Sequence, residues 1–149
     1  MRLLLDVNVL VALAWPNHVH HQVARNWFGD RAGDGWATCP PTESGFVRVS
    51  SNPVLPHAVT PAEAFELLHR LRGVGSHAFL SDDISLVGSE HADRSRIASH
   101  RLVTDAHVLA VARRHGGALA TFDRGIRRSL SRGRRDETIV LVGDGSAPC

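Results

Sequence analysis

The chain has 149 residues, 43% of them hydrophobic and 21% charged, with a formal net charge of +2. Those numbers predict one globular domain spanning residues 1–149, and no run approaches the roughly 20 apolar residues of a membrane span. All 17 basic residues are arginine, so every cationic contact to a phosphate would be made by a planar, permanently charged guanidinium.

Leu3-Leu4-Leu5 predicts a buried strand ending at Asp6. The acid interrupts the apolar run too early for a secretory leader, which places the protein in the cytoplasm. An apolar helix is expected from Val7 to Trp15, stopped by Pro16. Val19, Val23 and Trp27 recur every four residues between His18 and Phe28, as on one face of a helix. Asp30–Gly35 is a loop by its breakers, and Trp36–Cys39 a short strand. Pro40-Pro41 then precedes a helix expected from Thr42, with Glu43 in its first turn and Phe46, Val47 and Val49 as apolar positions. After a Pro/Asn loop from Ser50 to Pro56, Thr60-Pro61-Ala62-Glu63 forms a capping box, and Ala64, Phe65, Leu68 and Leu71 supply an apolar face as far as Gly73. His77–Leu80 and Ser85–Val87 are weaker strand or turn candidates. Val103–His115 is the most apolar helix, closed by Gly116-Gly117. Ala118–Phe122 predicts a strand ending at Asp123, and Thr138–Val142 a last one. Strands alternating with helices argue for an α/β fold, a mainly parallel sheet with helices on both faces.

The position of the acids is the main functional signal. Asp6 and Asp123 each directly follow a short hydrophobic strand, and sites in open parallel sheets form outside the carboxyl ends of the strands. Glu43 follows a third strand, and Asp105 opens the Val103–His115 helix. Taken singly, Glu43 and Asp105 are also explained by the preference of helix N-termini for acids. Taken together, carboxylates about 4 Å apart repel by roughly 4 kcal/mol at an effective dielectric near 20, so the cluster calls for a cation or a proton. Oxygen donors without histidine or thiolate at matching spacing suit Mg²⁺, or Mn²⁺ as a substitute, better than zinc. Such an ion activates water and stabilises charge on a phosphodiester. Other phosphate chemistries lack their parts. There is no phosphate-binding G-x-x-x-x-G-K-[ST] loop, and no lysine for a receiver-type site. Asn8 stands where a phosphoaspartate hydrolase would carry its second aspartate.

These residues resemble a known family, the PIN domains, and among them the VapC-type toxins of toxin–antitoxin pairs. Leu4-Leu5-Asp6-Val7-Asn8-Val9-Leu10 looks like the opening strand and first acid, and Thr42-Glu43-Ser44-Gly45-Phe46-Val47-Arg48 like the second motif. Val103-Thr104-Asp105-Ala106-His107 and Ala120-Thr121-Phe122-Asp123-Arg124-Gly125 look like the third and fourth. The four motifs occur in the family's order across nearly the whole chain. The resemblance implies a PIN-like three-layer sandwich, an Mg²⁺-dependent endoribonuclease, a homodimer and a cognate small antitoxin protein. It makes Asp6 and Asp105 metal ligands, with Glu43 and Asp123 ligating directly or through water.

Several further residues have both a site reading and a plainer one. Asn8 could orient a carboxylate or cap the first helix. Thr121 shares a strand face with Asp123 and could support the site. Arg48 could steady a phosphate or form an ion pair. Arg124, Arg127, Arg128, Arg132, Arg134 and Arg135 form the densest basic run, either an RNA-backbone surface beside Asp123 or a solvated, partly disordered loop. His18, His20 and His21 read as exposed helical histidines, and Asp82-Asp83 as a solvated turn. Trp15, Trp27 and Phe28 pack inside the domain or supply a groove for an antitoxin helix. Cys39 reads as a packed side chain, and Cys149 is given no role. The expected activity is metal-dependent hydrolysis of RNA. The rival readings are an RNA-binding regulator on the same fold and a structure-specific DNA nuclease.

Overall fold

The computed structural model describes residues 1–144; Cys149 lies outside the described residues. Five strands form one sheet in the order β3-β2-β1-β4-β5, with every neighbouring pair parallel. They are β1 (Leu3–Leu5), β2 (Trp36–Thr38), β3 (His77–Phe79), β4 (Ala118–Thr121) and β5 (Ile139–Leu141). Six α-helices connect them: α1 (Val7–Ala14), α2 (His21–Arg31), α3 (Pro40–Ser50), α4 (Pro61–Leu71), α5 (Val103–Arg114) and α6 (Arg124–Leu130).

The alternation of side chains along each strand divides the core in two. Leu5, Trp36 and Ala120 pack with Val9, Leu10, Trp27, Phe28, Phe46, Ala64 and Leu68 of α1–α4. Leu4, Ala37 and Leu119 point the other way, against Leu109, Val111 and Ala112 of α5 and Ile126 and Leu130 of α6. The result is the expected three-layer sandwich. Connections on one side of β1 run over one face of the sheet, and those after β3 run over the other. The chain therefore changes direction between β1 and β4, and the loops leaving these two strands part at their carboxyl ends. That crevice is where α/β sheets bind ligands. Gly45 lets α3 lie close to it: a Cβ there would meet Val7 Cγ2 at 2.6 Å.

Several expectations shift. α3 begins at Pro40 rather than Thr42, because prolines at the first helical positions lack only N–H groups that a helix leaves unpaired anyway. Thr42 completes the cap, accepting from the Cys39 N–H at 3.0 Å. α2 starts at His21 and runs to Arg31, and its buried face is Ala24, Trp27 and Phe28. Val19 and Val23 are 85% and 44% exposed, so the four-residue spacing that included them marks no core face. Phe65 likewise points outward while Ala64 and Leu68 are buried. Of the two weaker strand or turn candidates, His77–Phe79 is strand β3 and the Ser85–Val87 stretch leads into a turn. Cys39 is free and buried, as a packed side chain should be.

The arginine run is ordered. Its first half is helix α6, which buries Ile126 and Leu130 at i, i+4 spacing. Its second half is clamped by an ion pair between Arg113 and Asp136 at 2.9 Å, both side chains at most 6% exposed. Burial alone would raise the Asp136 carboxyl. Hydrogen bonds from the Arg132 N–H and from the Thr138 hydroxyl and N–H, with the Arg113 charge, outweigh it and bring the pKa down to about 2. A carboxyl depressed on folding stabilises the fold above its unfolded pKa and loses that contribution as pH falls through the folded one. Asp136→Asn should therefore cost on the order of 2 kcal/mol at neutral pH, and the gap to wild type should close between about pH 4 and pH 2. Parallel acid melting curves check this. A gap independent of pH would remove the charge from the explanation.

Candidate active site

Asp6 is the residue that ends β1 and caps α1. Its Oδ1 accepts from the Val7 N–H at 2.8 Å and its Oδ2 from the Thr121 hydroxyl at 2.7 Å. Thr121, fully buried at the end of β4, in turn accepts from the Asn8 amide at 3.2 Å and from the Asp123 N–H at 3.1 Å. Asn8 Oδ1 accepts from the Phe122 N–H at 3.3 Å. Asn8 and Thr121 thus stitch the turn after β1 to the turn after β4 across the switch point. Asp123 Oδ1 accepts from the Gly125 N–H at 2.7 Å, capping α6. Asp105 sits in the first turn of α5, where the helix dipole favours a negative charge.

Asp6, Asp105 and Asp123 line one open cleft of about 350 Å³, together with Val7, Asn8, Val11, His18 and Val49. Asp6 and Asp105 feel both burial and their acidic neighbours. Burial raises the Asp6 carboxyl, Asp123 raises it further, and the Thr121 and Val7 hydrogen bonds partly offset the shift. Burial, then Asp6, then Asp123 push Asp105 up to about 6. Among the described residues, no three His, Cys, Asp or Glu side chains converge as a ready-made metal cage.

The remaining sequence candidates fall elsewhere. Glu43 does not line the cleft. Its Oε1 accepts from the Thr38 hydroxyl at 2.6 Å and pairs with Arg72 at 3.3 Å, and Thr38 also contacts His77 Nε2 at 2.9 Å. Arg72 lies too far along the chain for any local pattern to have suggested it. Arg48 is exposed and forms no ion pair among the described residues. Arg124 pairs with Asp144, Arg127 donates to the Ile139 carbonyl at 2.5 Å, and Arg132 donates to the Glu90 carbonyl at 2.9 Å. Arg128 is exposed near the Asp123 turn. Asp82 is no solvated turn residue: it pairs with His107 of α5 at 2.9 Å, and Arg114 reaches Asp83, so the 81–83 segment is fastened to α5.

His18, expected as an exposed helical residue, is neither helical nor remote from the acids. It lies in the α1–α2 turn and lines the acid cleft. Its Nδ1 accepts from the His20 N–H at 3.0 Å, and the His20 ring stacks on Phe122 at 5.0 Å, next to Asp123. The second helix, read from His18, begins three residues later at His21, which leaves His18 in the turn.

Removing one of the three charges should relieve the others. Asp105 makes no side-chain hydrogen bond among the described residues, so Asp105→Asn removes little else. An acid raised on folding favours the fold below its unfolded pKa and disfavours it as pH climbs through the folded value. Without divalent ions, Asp105→Asn should therefore melt above wild type at pH 7.5, and the two should converge as pH falls from about 6 to about 4. A variant less stable than wild type at pH 7.5 would show that Asp105 is not under charge strain.

A PIN domain family profile matches residues 3–129. The chain is 57% identical over 124 residues to Ribonuclease VapC38 of Mycobacterium tuberculosis, covering 83% of this chain and 86% of that one. It is 48% identical over 134 residues to Ribonuclease VapC39 of the same species, covering 89% and 96%. A solved structure of VapBC2 from Rickettsia felis, bound to a DNA fragment from its promoter, superposes with a TM-score of 0.60 at 12% identity over 95% of this chain and 97% of that one. FitAcB from Neisseria gonorrhoeae gives 0.59 at 16%, over 93% and 96%. At those identities the superpositions speak for the fold, and the sequence matches speak for the family. The chain belongs to the PIN domain family, alongside its VapC members.

Proposed function

We propose that the chain is a divalent-metal-dependent endoribonuclease and the toxin of a toxin–antitoxin pair. The observation that carries this reading is the convergence of Asp6, Asp105 and Asp123 on one cleft at the sheet's switch point, where burial and the neighbouring acids raise Asp6 and Asp105. The ribonuclease names of relatives 57% and 48% identical support the substrate class.

The donor set fits magnesium or manganese. Mg²⁺ needs one or two carboxylates and completes its shell with water, so a closed cage of three side chains is not required. Asp6 and Asp105 are the residues that would hold the ion, with Asp123 and Glu43 reaching it directly or through water. When bound, it supplies a Lewis acid for the phosphodiester and an acidified water.

The chain's own groups set up that chemistry. The Thr121 hydroxyl and Val7 N–H fix the Asp6 carboxylate, while each oxygen keeps lone-pair capacity toward the cleft. Asn8 holds the Asp123 turn against Asp6. The Arg72 guanidinium and the Thr38 hydroxyl hold Glu43 outside the cleft, so Glu43 would reach the ion only with that pair opened. Arg128, with Arg124, Arg127 and Arg132 once freed of their internal partners, offers the cationic surface for the RNA backbone. A small antitoxin protein covers the acid edge in the resting complex, and the active species is a cytoplasmic homodimer.

Asp6→Asn keeps the size and one acceptor oxygen while losing the charge and one of the two hydrogen bonds that Asp6 accepts. It should lower Mg²⁺-dependent cleavage of single-stranded RNA by orders of magnitude with the fold intact, and it should abolish growth arrest when the chain is expressed without its antitoxin. The measurement compares single-stranded RNA, folded RNA and flap DNA. Undiminished RNA cleavage by the variant would overturn the acid assignment, and a preference for flap DNA would replace RNA as substrate.

A further inference from the structure

Beside the acid cleft lies a second hollow of about 290 Å³. It is walled by the end of α1, the α1–α2 turn, the end of α3 and the Leu55–Ala58 loop. Val11, His18 and Val49 line both spaces, so the two form one continuous trough. We propose that this second hollow is a base-recognition subsite, taking one nucleobase of a single-stranded RNA whose adjoining phosphate lies at the acids. The proposal rests on the ribonuclease reading and assigns that reaction its sequence preference.

Three features favour a nucleobase. The first is size: the hollow falls at or just below the roughly 300–1,000 Å³ of pockets that take drug-sized ligands, which suits a single flat ring system. The second is a fixed aromatic wall. The Trp15 indole N–H donates to Ser50 Oγ at 3.0 Å, which locks the ring against the end of α3. Unpaired bases are held by stacking on such rings.

The third feature is the rim. His57 is the one described non-glycine residue with positive φ, at 64°. The loop carrying it is pinned to α3 by the Val59 N–H to Ser50 carbonyl bond at 3.0 Å. A side chain held in that disfavoured backbone region is a common mark of a recognition site. His18 stands where the two hollows join. Because its Nδ1 accepts from the His20 N–H, the neutral ring carries its proton on Nε2, free to donate to a phosphate or ribose oxygen.

Neutral nucleosides test the pocket without involving the acids or a metal. The wild-type protein is titrated with adenosine, guanosine, cytidine and uridine while the indole N–H resonances of Trp15, Trp27 and Trp36 are followed by NMR. At least one nucleoside should shift Trp15 and leave buried Trp27 and Trp36 in place. Leu55→Trp, a substitution at a residue 44% exposed, should fill the hollow and abolish the shift. His57→Gly eases the backbone, so it should fold at least as stably yet weaken the nucleoside response. On a randomised RNA, Leu55→Trp should reduce the base preference beside the cut by about tenfold, the scale of one lost stacking contact. A Trp15 shift in a protein that cuts no RNA would keep the pocket and retire the ribonuclease reading. No shift with any of the four nucleosides, with wild-type cut-site preference in Leu55→Trp, would overturn the proposal. So would a Trp15 shift produced by the antitoxin and by no nucleoside, which would make the hollow a protein-docking site.

Discussion

At the point where the parallel sheet divides, the Thr121 hydroxyl donates to Asp6 and accepts from the Asn8 amide and the Asp123 N–H. Almost everything in the site depends on those bonds. β1 and β4 are neighbours in the sheet, but their loops leave in opposite directions, and only short polar side chains can bridge the gap they open. Thr121 does so from a fully buried position, where an unpaired hydroxyl would be costly. Its three partners use its donor and acceptor capacity completely. The site's geometry is therefore held by the fold's own core rather than by a flexible loop.

That rigidity makes the charge problem unavoidable. Asp6 is tethered on both oxygens, Asp123 is tethered by capping α6, and Asp105 stands on the first turn of a helix packed into the opposite layer. Neither Asp6 nor Asp123 can turn away to relieve repulsion without breaking a cap or a strand end, and Asp105 faces them from α5 with its charge unpaired among the described residues. Burial and the neighbouring charges make Asp6 and Asp105 hold protons more tightly, and Asp105, with no side-chain hydrogen bond among the described residues to compensate, is pushed up to about 6. A cation resolves the conflict better than a proton at neutral pH. Glu43 shows the other solution, since it is shared between Thr38 and an arginine of its own chain.

The fold was legible where local chemistry and tertiary packing agree. Strand–acid junctions at Asp6 and Asp123, the capping box at Thr60 and the apolar α5 all stand where the pattern put them. It was illegible where a polar surface concealed a core contact. Helix α6 looked like a charged loop because its arginines outnumber Ile126 and Leu130, the two residues that dock it. Val19 and Val23 copied a helical stripe, but Val19 falls in the α1–α2 turn and Val23 on the solvent face of α2. His18, Arg72 and the Asp82–His107 pair were invisible for a different reason. Each acquires meaning only from a partner far away in sequence or from a turn whose path no local propensity sets.

The most direct test of a cation-holding acid cluster is to see the ion. Crystals grown or soaked with Mn²⁺ and measured at the manganese absorption edge should show an anomalous peak among Asp6, Asp105 and Asp123, lost in the Asp105→Asn protein. A peak elsewhere, such as beside Asp82 and His107, or an empty cleft at saturating Mn²⁺, would contradict the account.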